Sequence, residues 1–256
     1  MTRQQRIEHL IAAIPSLSNH RLQLVDNVVV VFQEAKTFTR NANSKIITEQ
    51  ILEDFGDILR LHHAFSREPF SKDKFEYALE RVLRESGILA QLAPRGSPGY
   101  DIEIQAERFS LKTEAAKAIK QSTIHISKFM ELGGGQWGDN PDDLVGLRDQ
   151  FLSNLEGIQR ILTLRSLQKG EPAYRYELVE IPKSLLAKAA TGRFEMRSES
   201  TQSPKPGYCY VEEKGECLFS LYFDGGGERK LQIKNLRKDL CLVHATWEFP
   251  PVKETP

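Results

Sequence analysis

Cysteine is scarce in this chain, and long apolar runs are missing. Its three cysteines, Cys209, Cys217 and Cys241, are odd in number and form no CxxC pair. This argues against a disulfide framework and predicts free thiols in a reducing, cytoplasmic setting. The longest apolar run, residues 28–32, is far shorter than the roughly 20 residues of a membrane span. The first ten residues mix arginine, glutamate and histidine, unlike a secretory signal, so we expect no membrane partner.

An excess of either charge is also missing. Lys plus Arg and Asp plus Glu each number 35 in 256 residues, so the net charge is zero. This argues against a histone-like protein that slides along nucleic acid, but it leaves room for a local basic patch. The length allows one large domain, and no shift in composition marks a linker.

The first third of the chain has apolar residues at helical spacing. The pattern predicts helices over residues 22–32 and 46–59. A third helix is predicted over residues 71–87, where Ser71 can cap the start and Gly87 the end.

The period then changes from 3.6 to 2. Strands are predicted over residues 99–104, 108–113 and 122–127, then a long helix over 141–164 and a fourth strand over 174–181. Further strands are expected at 208–213, 218–223, 230–234 and 240–249. We therefore expect an α/β (α+β) fold with a mixed central sheet flanked by helices, in a single domain 1–256. Its parts are a helical layer (1–70), a core (71–181) and a β-rich extension (182–256).

The hairpin formed by the first two of these strands has an unusual polar face. With a two-residue turn at residues 106–107, Asp101 lies opposite Lys112 and Glu103 opposite Ser110. Side chains paired in this way have Cβ atoms about 4.5–5.5 Å apart, so two carboxylates repel unless a cation lies between them. A hard ion such as Mg²⁺ suits such oxygens. The alternative is an exposed hairpin whose Asp101–Lys112 pair contributes little.

The sequences PGYDIEI and FSLKT, set in the order helix, three strands, helix and strand, resemble the core of PD-(D/E)XK nucleases. Within that superfamily the chain is similar to type II restriction endonucleases. The segments DFGDIL, ISKFMELG, LYFDGGGERKLQI and VHATWEF resemble their blunt-cutting SmaI-like branch. The resemblance implies Mg²⁺-dependent hydrolysis of phosphodiester bonds in double-stranded DNA, at a GC-rich palindrome such as CCCGGG. It also implies a homodimer within a restriction–modification system.

The resemblance assigns roles to individual residues. Asp101 matches the metal-binding aspartate, Lys112 the motif lysine, and Glu76 the acidic residue that many members supply from the first core helix. The carbonyl of Leu111 would complete the metal ligands. Ser110 departs from the family, which has Asp or Glu at this position.

The departure at Ser110 requires a carboxylate from elsewhere. Glu103, expected directly across the hairpin, is the first candidate and Glu114 its rival. If neither reaches the metal, the site would be weak or inactive. The missing acidic residue at Ser110 is the best argument for one alternative, a non-catalytic DNA-binding protein. A monomeric nicking or repair nuclease of the same fold is the other alternative.

DNA binding by a neutral protein requires focused cations. Two clusters each have a net charge of +3, within residues 112–128 and 225–239. Arginine fits guanine bidentately, so base contacts are expected from residues 198–208, Arg229 and Arg237. Such clusters are otherwise ordinary solvated faces. The DNA-binding candidates are Lys117, Lys120, Lys128, Lys205, Arg229, Lys230, Lys234 and Arg237.

Other motifs carry no chemistry. The pair His62–His63 lacks HExxH spacing, and His125 and His244 lie in strand patterns, so packing roles are expected. The glycine runs at residues 133–135 and 225–227 match no phosphate-binding motif and predict turns.

Overall fold

The computed structural model describes residues 1–94, 99–133 and 137–251. The helices are α1 (Arg3–Ala13), α2 (Asn19–Gln33), α3 (Glu49–Phe65), α4 (Lys72–Glu85), α5 (Val145–Glu156) and α6 (Lys183–Ala187). The strands are β1 (Thr37–Arg40), β2 (Ala90–Leu92), β3 (Ile102–Ile104), β4 (Glu107–Glu114), β5 (Thr123–Glu131), β6 (Arg160–Gln168), β7 (Tyr174–Ile181), β8 (Arg193–Met196), β9 (Gly207–Glu213), β10 (Glu216–Asp224), β11 (Lys230–Arg237) and β12 (Leu242–Phe249). In the part of the chain so described, no helix is both long and apolar enough to span a membrane.

The described strands form two sheets, which we call the large sheet and the small sheet. The large sheet has the order β1-β12-β7-β6-β4-β3-β2, and the small sheet the order β5-β11-β10-β9-β8. In the large sheet β4 pairs with β6 in parallel and with β3 antiparallel. The expected mixed central sheet, helical layer and β-rich C-terminal part are therefore confirmed.

Two apolar cores hold these layers together. In the first core, α3 and α4 pack on one face of the large sheet, and Phe55 of α3 contacts Phe75 of α4 and Trp247 of β12. The second core joins the opposite face to α5 and the inner face of the small sheet, through residues such as Phe151 and Phe219. A single domain over the whole chain stays a prediction, and residues 252–256 lie outside the described part.

Helix α4 forms as its sequence predicts. Ser71 accepts a hydrogen bond from the backbone N–H of Lys74 at the start, and Gly87 follows the end with a φ of 76°. Glycine tolerates this left-handed conformation because it has no Cβ. The predicted apolar stripe is buried in the first core and consists of Phe75, Ala78, Leu79, Val82 and Leu83.

The prediction of one long helix over residues 141–164 is wrong for the second half of that range. Helix α5 ends at Glu156, and Arg160–Gln168 forms strand β6. This strand lies between β4 and β7, and its residues 161–166 are all buried. A strand covered on both faces shows no alternation of polar and apolar residues, which removes the period-2 signal.

The third predicted strand also lies elsewhere than expected. Residues 122–127 contribute to β5, which belongs to the small sheet and not to the central one. The third strand beside β3 and β4 is instead β2, which the sequence did not reveal. The order helix, three strands, helix and strand is therefore present as α4, β2, β3, β4, α5 and β6, with β5 inserted before α5.

The hairpin has a different register from the predicted one. The turn lies at Gln105–Ala106, with φ values of 50° and 66°, as a type I′ turn requires. Glu103 consequently pairs with Arg108 and not with Ser110. A shift of two residues leaves every side chain on its predicted face, because strand side chains alternate.

The glycine runs lie in connections. Residues 226–228 form a bend between β10 and β11, as predicted. Gly134 and Gly135 lie outside the described residues.

Candidate active site

The carboxylate of Asp101, just before β3, is the centre of the candidate site. Its Oδ2 accepts hydrogen bonds from the backbone N–H of Leu111 at 2.6 Å and from the Ser110 hydroxyl at 3.2 Å. Its Oδ1 accepts from Lys72 Nζ at 2.7 Å. The antiparallel pairing of β3 with β4 brings these groups together, because Asp101 N donates to the carbonyl of Phe109.

Lys112 contacts the same carboxylate from inside the molecule. Its Nζ lies 3.7 Å from Asp101 Oδ2 and 5.3 Å from the centroid of the Phe129 ring on β5. The side chain is only 11% exposed. Burial lowers the pKa of Lys112, and the Asp101 carboxylate opposes that shift only in part. The sequence-predicted pair of Asp101 and Lys112 therefore comes together, on neighbouring strands.

Asp101 is held ionised by its neighbours. Burial alone would raise the pKa of its carboxyl, but the ammonium groups of Lys112 and Lys72 and the N–H of Leu111 outweigh that effect. The pKa of Asp101 consequently lies below its ordinary value. An ionised carboxylate in a partly buried position is suited to binding a cation.

Glu76 of α4 joins the site through Lys72, a residue that sequence reasoning missed. The Lys72 ammonium lies between the two carboxylates and donates to Glu76 and Asp101. The side chains of Glu76 and Asp101 are 18% and 19% exposed. Burial alone would lower the pKa of Lys72, but its two carboxylate partners raise it above the ordinary value. The i,i+4 spacing of Lys72 and Glu76 on one helix was the feature of the sequence that could have revealed this ion pair.

The two carboxylates considered as replacements at Ser110 have other partners. Glu103 is 44% exposed and lies 3.8 Å from Arg108. Glu114 is buried at the end of β4, where its Oε1 accepts from the His125 N–H at 3.1 Å and its Oε2 pairs with Arg165. Of the acidic candidates, Glu76 is the one that shares a cation with Asp101.

Arg165 of β6 anchors the strand that carries Lys112, and sequence reasoning also missed it. The guanidinium is fully buried and pairs with Glu114 and Glu177. It also donates to the carbonyls of Lys120 and Thr123, at 2.8 and 2.7 Å. These bonds join β4, β6, β7 and the start of β5. A buried charge paired on every side holds its neighbours in one arrangement.

The donor set can be tested against Mg²⁺. Among the described residues, no group of three His, Cys, Asp or Glu side chains is close enough to hold a metal ion. Two carboxylates do converge, at Asp101 and Glu76, around the single ammonium of Lys72. Mg²⁺ in nucleotide sites commonly uses one or two carboxylates together with phosphate oxygens and waters. The residues present therefore fit this ion.

Most of the predicted DNA-binding cations lie on the surface. Lys128 pairs with Glu131 and Glu228, and Arg237 pairs with Glu216 and Asp239. Lys205 lies 3.3 Å from Asp139. The remaining lysines, Lys117, Lys120 and Lys230, are exposed or half-buried, and Arg229 lies 5.9 Å from the Trp137 ring.

Lys234 differs from the other cations because aromatic rings surround it. Its Nζ lies 3.6 Å from the ring centroid of Tyr222 and 5.5 Å from that of Tyr208. Tyr208 in turn stacks on Tyr210, whose ring lies 5.0 Å from the Arg193 guanidinium. Burial lowers the pKa of Lys234. We call the outer face of the small sheet formed by Arg193, Tyr208, Tyr210, Tyr222 and Lys234 the tyrosine face.

The histidines have packing contacts. His63 is stacked on Tyr174 at 3.6 Å and hydrogen-bonds the Tyr176 hydroxyl at 2.7 Å. His244 is fully buried between the Ser44 hydroxyl at 2.9 Å and the Glu180 carboxylate at 2.8 Å.

Comparisons with known proteins agree on one group of enzymes. Residues 10–249 match the model of a family described as SmaI, type II site-specific deoxyribonuclease. The chain is 47% identical over 224 residues to the type II restriction enzyme SmaI of Serratia marcescens, a match that covers 86% of this chain and 88% of that enzyme. No solved structure matches the chain significantly.

Proposed function

This chain belongs to the SmaI family of type II site-specific deoxyribonucleases, and from that premise we propose that Asp101 and Lys112 form its phosphodiester-cleaving centre. The observation that supports the proposal is the meeting of two ammonium groups, a backbone N–H and a second carboxylate at Asp101. We propose Mg²⁺ as the cofactor and a short GC-rich palindrome, such as CCCGGG, as the target. The match to the type II restriction enzyme SmaI of Serratia marcescens supports a site-specific nuclease, and the target sequence itself stays a proposal.

The proposed mechanism assigns a task to each side chain. When bound, Mg²⁺ supplies charge neutralisation at the phosphate and activation of water. Asp101 and Glu76, together with the carbonyl of Leu111, would hold the ion. Lys112 Nζ donates a hydrogen bond to the attacking water or to a phosphate oxygen, where negative charge grows in the transition state. Because Lys112 is almost fully enclosed, it acts with little screening by solvent.

Duplex DNA would contact the tyrosine face as well as the catalytic centre. The Lys234 ammonium is partly desolvated and held between Tyr208 and Tyr222. Such a cation is preorganised to bind a phosphate, because its side chain loses little freedom on binding. The predicted base contacts of Arg229 and Arg237 stay proposals, and Arg237 would first have to leave its two carboxylates.

Two further proposals follow from the target. A palindrome presents the same half-site twice, so a twofold homodimer would place one catalytic centre on each strand. We also propose that the protein acts in the cytoplasm, as part of a restriction–modification system.

The decisive experiment incubates a supercoiled plasmid with the protein and Mg²⁺ and sequences the ends. We expect linear DNA with blunt ends inside one short site. Nicked circles as the final product would favour a monomeric nicking enzyme and would refute the dimeric mode of cleavage.

Substitution Lys112→Ala tests the assignment of the centre. We expect the variant to lose cleavage but to retain specific DNA binding, measured with Ca²⁺ in place of Mg²⁺. The matched control is Lys188→Ala, because Lys188 is a surface lysine paired with Glu213. Full cleavage by Lys112→Ala would overturn the assignment.

A further inference from the structure

The first two helices form an arm that has few contacts with the rest of the molecule. We define the arm as residues 3–33, which comprise α1 and α2. Helix α1 has no buried residue, and α2 has Val31 as its buried residue. The base of the arm is fixed by the Arg60 guanidinium of α3, which donates to the carbonyls of Val31 and Glu34.

The outward surface of the arm is apolar. In α2, Leu22, Val25, Val29 and Phe32 follow each other at intervals of three, four and three residues and are all exposed. This spacing is that of the a and d positions of a heptad, which place apolar side chains along one seam of a helix. Leu10 and Ile11 of α1, and Ile14 just after its end, add apolar side chains that are 39–66% exposed.

Such short helices require a partner surface. The arm helices have 11 and 15 residues, and isolated helices below about 12–15 residues are marginal in water. In proteins, most helical stability comes from packing an apolar face. In the described part of the chain, the four seam residues of α2 stay 37–45% exposed, so a surface of another molecule would complete their burial.

We infer that the partner is a second copy of this chain, with α2 packed in parallel against α2 of that copy. A seam of a and d residues is complementary to itself. The charges beside it are complementary too, because Arg21 and Asp26 occupy the g and e positions. In a parallel pair, a g residue contacts the e residue five positions further on in the other helix. Arg21 would therefore pair with Asp26 of the partner subunit, twice by symmetry.

The charges also distinguish this arrangement from its alternatives. Neither Arg21 nor Asp26 has an ion-pair partner among the described residues, so both are available. In an antiparallel pair, e positions face e positions, which would bring the two Asp26 carboxylates near each other. The parallel dimer is argued from the residues of the arm. It rests on the proposed function in one respect, because a dimer would serve to cleave both strands of the DNA.

The mass in solution is the first test. Light scattering behind size-exclusion chromatography at micromolar concentration should give twice the chain mass of 29.2 kDa. The double substitution Val25→Asp with Val29→Asp should give the single mass, because both side chains are exposed and belong to neither apolar core. The matched control Leu89→Asp changes a 77%-exposed leucine outside the arm and should stay dimeric.

A charge exchange tests the parallel register. Arg21→Asp places like charges opposite each other, and we expect it to raise the dimer dissociation constant by about tenfold or more. Adding Asp26→Arg restores opposite charges and should restore most of the affinity. Failure of the second substitution to restore affinity would overturn the parallel register.

The outcomes separate this inference from the proposed function. A wild-type chain that is monomeric, or a Val25→Asp, Val29→Asp variant that stays dimeric, would overturn the inference and leave the arm to a different partner. A monomer that linearises plasmid would overturn the inference together with the proposed homodimer, and would leave the proposed chemistry intact. A dimer that binds through the arm but never cleaves DNA would support the inference and contradict the proposed chemistry.

Discussion

Removing the Lys72 ammonium tests whether this side chain lies where the metal binds. Lys72 Nζ is 2.7 Å from Asp101 Oδ1 and also bonds Glu76, and its side chain is 39% exposed. A divalent ion between the two carboxylates has to displace this ammonium. Lys72→Met keeps much of the length of the side chain and removes its charge, so we expect tighter metal binding.

The size of the effect follows from the exposure of the pair. Partly exposed ion pairs contribute about 0.2–1 kcal/mol each. Two such pairs give about 0.4–2 kcal/mol, which corresponds to an increase in metal affinity of about 2- to 30-fold. Calorimetric titration of the DNA-free protein with Mg²⁺ or Mn²⁺ measures this affinity directly.

A second ion pair on the same helix provides the control. Arg81 pairs with Glu85 on the surface of α4, away from Asp101, so Arg81→Met should leave metal affinity unchanged. Unchanged or weaker metal binding by Lys72→Met would refute the placement of the metal between Asp101 and Glu76.

Two more predictions concern stability and DNA binding. Burial raises the pKa of Glu180, but hydrogen bonds from His244 and Arg160 outweigh it and lower that pKa to about 2. A lowered carboxyl pKa stabilises the fold fully above the unfolded value of 4.5, and this stabilisation is lost as the pH falls towards the folded value. The free energy of unfolding should therefore fall by about 3 kcal/mol between pH 4.5 and 2. Chemical denaturation should show a smaller fall for Glu180→Gln, and an identical fall would contradict the assignment. Lys234→Met should weaken binding to duplex DNA in Ca²⁺ and reduce the magnitude of the salt dependence by about one charge, measured by fluorescence anisotropy. An unchanged salt slope would exclude a phosphate contact.

The faces of the hairpin could be predicted from the sequence, but its register could not. Alternation places Asp101 and Lys112 on the same side of the hairpin whether the strands are shifted by two residues or not. The actual turn at Gln105–Ala106 has neither Asn nor Gly, the residues that usually mark a type I′ turn. The sequence therefore did not reveal that Glu103 pairs with Arg108 and not with Ser110, the position in which it was expected to act together with Asp101.

Neither strand β6 nor the role of its Arg165 could be predicted from the local sequence. The strand is covered on both faces, so its apolar residues fit a buried helix as well as a strand. The partners of Arg165 lie 51 and 12 residues away in the sequence, at Glu114 and Glu177. Only the sheet order, with β6 between β4 and β7, brings these charges together.

The exposed apolar seam of α2 shows a second limit of sequence analysis, because here the helix was predicted and the environment of its apolar face was not. Its periodicity predicts a helix correctly, and the same periodicity suggests a buried face. The structure keeps the helix and leaves the face exposed. Periodicity in one chain cannot distinguish a face that packs on its own core from one that packs on another molecule.

The most direct test of the central claim compares two carboxylates of the same hairpin. Plasmid cleavage in Mg²⁺ is measured for the wild type, Asp101→Asn and Glu103→Gln. If Asp101 is the ionised group around which the reaction is organised, Asp101→Asn is inactive, while Glu103→Gln linearises the plasmid as the wild type does. Cleavage by Asp101→Asn at the wild-type rate would contradict the account.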